Sequence, residues 1–395
     1  MTIRRAGAVL LAGALVAVAC SSDDDTTPAT TDGGAPTTTE AVGETTTPAT
    51  EPPASSAPAT SEAPDPEATY TATIRRTADG VPHVIADDLP SLGFGHGYAF
   101  AEDHACSLAD AVVQARSEAA RWFGRGEDDR WVNQDLVYLA LDMQGRGAAG
   151  FDASAPELQE QIRGYAAGYN HYLDEVGVDA LPGYCAGAEW VGPIDEYDLA
   201  AYFMVLAGRA SIDPLKGYIA TAQPPAPAGE TTEDTDDAEG DAAGLDDVDT
   251  VGEETAAALA SLVPEATQLA SNAWAIGPER SATGEAMLVG NPHFPWQGML
   301  RFHEVHLTVP GEVDVYGVTL LGSPAVNIGF TEGVAWSHTV SAGGRFTAYT
   351  LDLVPGSPTS YRYGDEVREM TSTTVSVEVL EEDGSIGTVE RTMWS

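Results

Sequence analysis

The chain has 395 residues, and 43% of them are apolar, enough for a sizeable core. Asp and Glu number 61 against 18 Lys and Arg, for a formal net charge of -43. That balance argues against nucleic-acid phosphate as a partner and against a basic patch docked on anionic lipid.

The first 20 residues have a basic head (Arg4, Arg5), an apolar run from Ala6 to Ala19, and then Cys20. The run is short for a membrane span and fits an export signal. The small residues before Cys20 resemble a bacterial lipoprotein processing site; an ordinary signal peptide with an incidental Cys is the alternative. The expectation is an exported protein, lipid-anchored through Cys20 at the outer face of the membrane. Residues 21–69 are Thr, Pro, Ser, Ala, Asp and Glu with almost no large apolar side chain, so they read as a disordered tether. If Cys20 carries lipid, two cysteines remain in an oxidising setting, and a Cys106–Cys185 disulfide is expected.

Structure is expected from Tyr70. Short alternating runs on either side of Asp79-Gly80 predict a hairpin. Helical periodicity then covers Ser91–Arg121, Asn133–Arg146, Ala155–Val176 and Ile194–Ser211. Residues 70–220 thus form a mostly helical region. Residues 221–270 follow as an acidic linker with one short helical piece near Glu253–Leu262. From Ser271 the period changes to two, with short strands divided by Gly, Pro and Asn, so 271–395 reads as antiparallel sheet. The whole is of α+β class.

Much of the candidate chemistry has a bland reading. There is no GxSxG elbow, no HExxH and no P-loop. His83, His96, His104 and His171 read as structural or surface residues. His303 and His306 are three apart on a strand and face opposite sides. Glu102 and Asp103 are adjacent and do not converge as an acid pair. Trp274, Trp296 and Trp336 fit as core aromatics. Ser271 is harder to explain away, because it follows the acidic linker and opens the sheet region. Cut before Ser271, the chain would hold a hydroxyl and an α-amine on one residue. The amine's reference pKa of about 7.7–8.0 suits a general base.

Four stretches carry a resemblance: IRRTADGVPHVIADD with GFGHGYAFAEDHAC, then YAAGYNHYL, then SNAWAIG, then GNPHFPW with NIGFTEGVAWSHTVS. In this order the chain resembles the penicillin acylase family of N-terminal-nucleophile hydrolases, in its homoserine-lactone and lipopeptide acylase branch. The resemblance implies a four-layer αββα sandwich, here incomplete at its C-terminal end, so the chain reads as a gene fragment. It implies that Ser271 is the nucleophile, freed by self-cleavage of Ala270–Ser271, with residues 221–270 as spacer between α and β chains of one precursor. His293 would tune the freed amine and Val340 N–H would hold the oxyanion. Asn272 would position the Ser271 backbone, and Phe294 and Trp296 would line an acyl pocket. The family's second oxyanion donor, an Asn, lies beyond residue 395. The substrate would be a small N-acylated molecule, with no metal and no organic cofactor. The family's calcium-binding stretch reads SAGGRFTAY here, without a carboxylate, so no calcium is expected there. The alternative is a tethered surface lipoprotein, or a degenerate acylase, that binds or scaffolds without turnover.

Overall fold

The computed structural model describes residues 69–209, 211–225, 270–340 and 349–395. The chain divides into two units, Met1–Ser61 and Glu62–Ser395, and every described residue lies in the second. Cys20, the tether, most of the spacer with its Glu253–Leu262 helix, and residues 341–348 lie outside the described residues.

The opening hairpin forms as expected. β1 (Ala72–Arg76) pairs antiparallel with β2 (Pro82–Ala86), and Gly80 takes the positive φ of 88° that the turn needs. Helix α1 (Leu89–Ala115) starts on an Asp88 cap, whose carboxylate accepts from Ser91 N–H at 2.8 Å. Then come α2 (Ala119–Phe123), α3 (Arg130–Ala140), α4 (Met143–Asp152), α5 (Pro156–Val176), α6 (Glu196–Gly208) and α7 (Lys216–Thr221). A capping box between Asp195 and Asp198 opens α6.

Glycines set how closely α1 and α5 approach. Gly93 and Gly97 on α1, and Gly164 and Gly168 on α5, repeat at four-residue spacing. A Cβ at Gly97 would overlap the Tyr165 carbonyl oxygen, and one at Gly168 would overlap that of Phe94. The helices therefore touch backbone to backbone. Around that contact lies the main core, with Phe100, Leu108, Tyr165, Tyr169, Leu199 and Tyr202 fully buried. The expected Cys106–Cys185 disulfide is present and ties α1 to the loop before α6.

The strands of the second half are β3 (Ala270–Ile276), β4 (Met287–His293), β5 (Phe302–Val309), β6 (Val313–Leu320), β7 (Ile328–Phe330) and β8 (Ala335–Trp336). They are followed by β9 (Asp352–Leu353), β10 (Ser360–Tyr363), β11 (Glu366–Glu369), β12 (Ser372–Leu380) and β13 (Ile386–Trp394). The largest sheet runs β1-β2-β5-β6-β7-β8; β3–β4 and β12–β13 are hairpins, and β11-β10-β9 is a small sheet. One junction departs from the antiparallel sheet expected of residues 271–395. β2 pairs with β5 in parallel, with His83 opposite His306, Val84 opposite Leu307 and Ile85 opposite Thr308. The opening hairpin is thus built into the sheet of the second half. Val84 and Leu92 pack with Val305, Leu307 and Val309 between α1 and this sheet. The architecture is mixed α and β, helices against several sheets, in keeping with the α+β class and a four-layer αββα sandwich.

Candidate active site

Strands β3 and β4 position the candidate residues. Their register sets Ala270 opposite His293, Ser271 opposite Pro292, Asn272 opposite Asn291, and Ala273 opposite Gly290. Side chains alternate along a strand, and paired residues share a face. Ala270, Asn272, Asn291 and His293 therefore share one face. Ser271, Gly290 and Pro292 share the other. A Cβ on Gly290 would stand 3.3 Å from the Ser337 Cβ and 3.6 Å from Ile328, so Ser271's face looks onto β7 and the residue just after β8. The three resembling segments after residue 270 meet here: SNAWAIG and GNPHF form the hairpin, and Ile328 and Ser337 of NIGFTEGVAWSHTVS lie against Gly290.

Ser271 is half-buried. Its hydroxyl donates to the Ala270 carbonyl oxygen at 2.5 Å, the oxygen of the bond that the resemblance marks for cleavage. His293 is exposed, and Asn291 Nδ2 lies 3.1 Å and Asn272 Nδ2 3.4 Å from its Nε2. Two amide donors on one ring nitrogen require that nitrogen to accept. When that nitrogen accepts, the ring proton is on Nδ1. Asn272 thus reaches the His293 ring. Asn291 had no role in the sequence reading. It lies inside GNPHF, but only the hairpin register reveals its partner.

Phe294 is half-buried and packs its ring 5.0 Å from that of Phe302, whereas Trp296 is 91% exposed. Core packing is therefore wrong for Trp296, and also for Trp274, which is 55% exposed. Trp336 is half-buried and donates its indole N–H to Asn327 O at 2.8 Å. Residues beside Trp296 do line a cavity. Pro295, Gln297 and Met299 close one side of a space of about 520 Å³, and Gln134, Arg209 and Lys216 close the other. Lys216 lies 2.8 Å from Asp213 and 2.6 Å from Gln134 Oε1. Burial draws its ammonium below the usual lysine range despite that carboxylate. Val340 is exposed, and the SAGGRFTA residues that follow lie outside the described residues.

His96 and His104 pack their rings against that of His303. His96 is fully buried, and desolvation draws it down to about 3, so it stays neutral. Burial likewise lowers His104 to about 4. His303 faces the α1 side of β5 and meets Asp103 at 3.3 Å, while His306 faces the opposite side, as its spacing requires. Glu102 and Asp103 both bind the Arg76 guanidinium, at 2.7 and 2.8 Å, so the two acids clamp β1 to α1. Among the described residues, no helix is long and apolar enough to cross a membrane.

Residues 71–395 match the penicillin amidase family. The chain is similar to Aculeacin-A acylase of Actinoplanes utahensis, 40% identical over 321 residues, covering 78% of this chain and 38% of that protein. It is similar to acyl-homoserine lactone acylase PvdQ of Pseudomonas putida, 38% identical over 328 residues, covering 82% of this chain and 40% of that one. Among solved structures, a thermostable penicillin G acylase from Alcaligenes faecalis shares 28% identity, with a TM-score of 0.33 over 36% of this chain and 76% of that one. The chain thus spans about two fifths of the length of these curated relatives.

Proposed function

The chain belongs to the penicillin amidase family, and on that premise we propose that it acts in an acylase that hydrolyses the amide bond of a small N-acylated molecule. The observation that carries the reading is the β3–β4 register. It puts His293 beside the Ala270–Ser271 bond, and the Ser271 hydroxyl already rests on the Ala270 carbonyl oxygen at 2.5 Å.

Maturation begins when Ser271 Oγ attacks the Ala270 carbonyl carbon. The C–N bond breaks as the acyl group moves to oxygen, and water hydrolyses the ester. Ser271 is left with a free α-amine. In turnover that amine takes the hydroxyl proton, and Oγ attacks the substrate carbonyl. Val340 N–H stabilises the oxyanion; a donor of this kind is worth about 2.7–4 kcal/mol. The amine product leaves with the proton, and water releases the acyl group. His293, held by Asn272 and Asn291, stands by the amine and favours its free-base form. The acyl group lies along Phe294 and Trp296. Substrates are N-acyl homoserine lactones, lipopeptides or β-lactams with apolar side chains, in line with the names of the relatives. Residues 221–270 serve as spacer, and Cys20 anchors the exported protein by lipid.

Ser271→Ala tests the reading. The variant should stay as one uncut band and lose amidase activity, whereas the unaltered protein should yield a fragment whose N-terminal sequence begins SNAW. Normal cutting in the variant, or an intact Ala270–Ser271 bond in mature full-length protein, would favour a tethered non-catalytic lipoprotein instead.

A further inference from the structure

On the sheet face away from α1, His83 on β2 and His306 on β5 are register partners, and their Nδ1 atoms lie 2.8 Å apart. His306 Nε2 lies 2.6 Å from Asp314 Oδ1. A carboxylate only accepts, so His306 Nε2 donates to Asp314 and His306 Nδ1 is left to face His83. One proton thus sits between two imidazole nitrogens, and a carboxylate fixes the second ring from behind. Histidine metal ligands have this arrangement, with one ring nitrogen on the ion and the other donating to a carboxylate.

We infer that His83 and His306 form a two-nitrogen site for a borderline divalent transition ion such as Zn²⁺ or Cu²⁺, with Asp314 orienting the His306 ring. The ion takes the place of the bridging proton, which leaves to His83 Nε2 or to solvent. Metal–nitrogen bonds of about 2.0–2.1 Å would set the two nitrogens roughly 3.3 Å apart in a tetrahedral site. A small turn of two side chains achieves that. His306 is 27% exposed and Asp314 76%, so the site is open to solvent. Among the described residues, no three His, Cys, Asp or Glu side chains converge on one ion, and water fills the remaining positions. Arg75 faces His83 across β1 and opposes a cation, while Glu304, held by Tyr316 at 2.6 Å, lies on the same face and offsets it.

The site has a structural meaning. β2 precedes residue 270 and β5 follows it. If the chain is cut as proposed above, the ion clips one product chain to the other. The site itself needs no cut, so its test is separate from that of the acylase reading.

The chain is titrated with CuCl₂ and with ZnCl₂ in excess Mg²⁺, which occupies the acidic side chains. One equivalent of Cu²⁺ should bind and show hyperfine coupling to two imidazole nitrogens in its electron paramagnetic resonance spectrum. His83→Ala and His306→Ala should abolish it, and Asp314→Asn should weaken affinity about ten- to hundredfold. An oxygen-only spectrum in the unaltered protein would overturn the inference even if the variants fold poorly. So would unchanged affinity and stoichiometry in the double alanine variant.

Discussion

Opposite Ser271 stands Pro292, a residue with no N–H to give the ladder. The sequence reading of Ser271 and His293 rests on SNAWAIG and GNPHF, each a contiguous run, and the register lays the two runs side by side. Asn291 was not legible, since its role depends on which residue faces it. Removing its amide from His293 Nε2 should cost one neutral hydrogen bond, about 0.5–1.5 kcal/mol. In the mature enzyme Asn291→Ala should therefore lower kcat/KM roughly three- to tenfold with cleavage retained, measured at neutral pH. Asp135 makes a second residue-scale prediction. It is buried, and desolvation pushes its carboxyl up to about 7. The folded state then holds a proton that the unfolded state has lost above the ordinary carboxyl value of 3.8. Stability from this group falls as pH rises from about 4 to 7 and is flat beyond. Asp135→Asn should flatten that slope, read as thermal midpoints at pH 5 and 7.5.

At the scale of elements, hydrophobic period and the Asp79-Gly80 turn located the opening hairpin and most of the helices, because each buries a face of its own sequence, but the helix expected over Asn133–Arg146 is two, broken at Asp142 where φ is 51°. Period could not announce the α1–α5 contact. Four glycines lie there, and only the crossing shows why a side chain is excluded. Gly97→Ala and Gly168→Ala should each destabilise the chain by about 1–3 kcal/mol, since the helices must part to admit a methyl group. Denaturant midpoints would check this; a change under a few tenths of a kcal/mol would mean the helices separate freely. The parallel β2–β5 pairing was invisible for a related reason. Strand periodicity fixes which face a residue shows, not which distant strand it joins.

Across the whole molecule, the proposed cut at Ala270–Ser271 divides a shared core. Val84 and Leu92 lie before it, and Val305, Leu307 and Val309 after it. Ala120, Val132 and Leu136 of α2 and α3 pack on Val377 and Val379 of β12. Arg121 pairs with Glu378, and Arg391 reaches Asn133 and the Ala220 carbonyl, each at 3.0 Å. The disulfide lies wholly before the cut and links nothing across it. The cleaved protein should elute as one species on gel filtration and yet give two bands on a denaturing gel without reductant. One band there would reveal a covalent link that the fold does not contain.

The meeting of His83 with His306 spans 223 positions of the chain. On a ribosome, the edge of β2 must wait for that much more polypeptide to emerge before its neighbour exists. Closing so long a loop is entropically slow, so the sheet completes late in synthesis. If the chain is cut at Ala270–Ser271 as proposed above, a cut made after the β3–β4 hairpin settles against that sheet follows assembly.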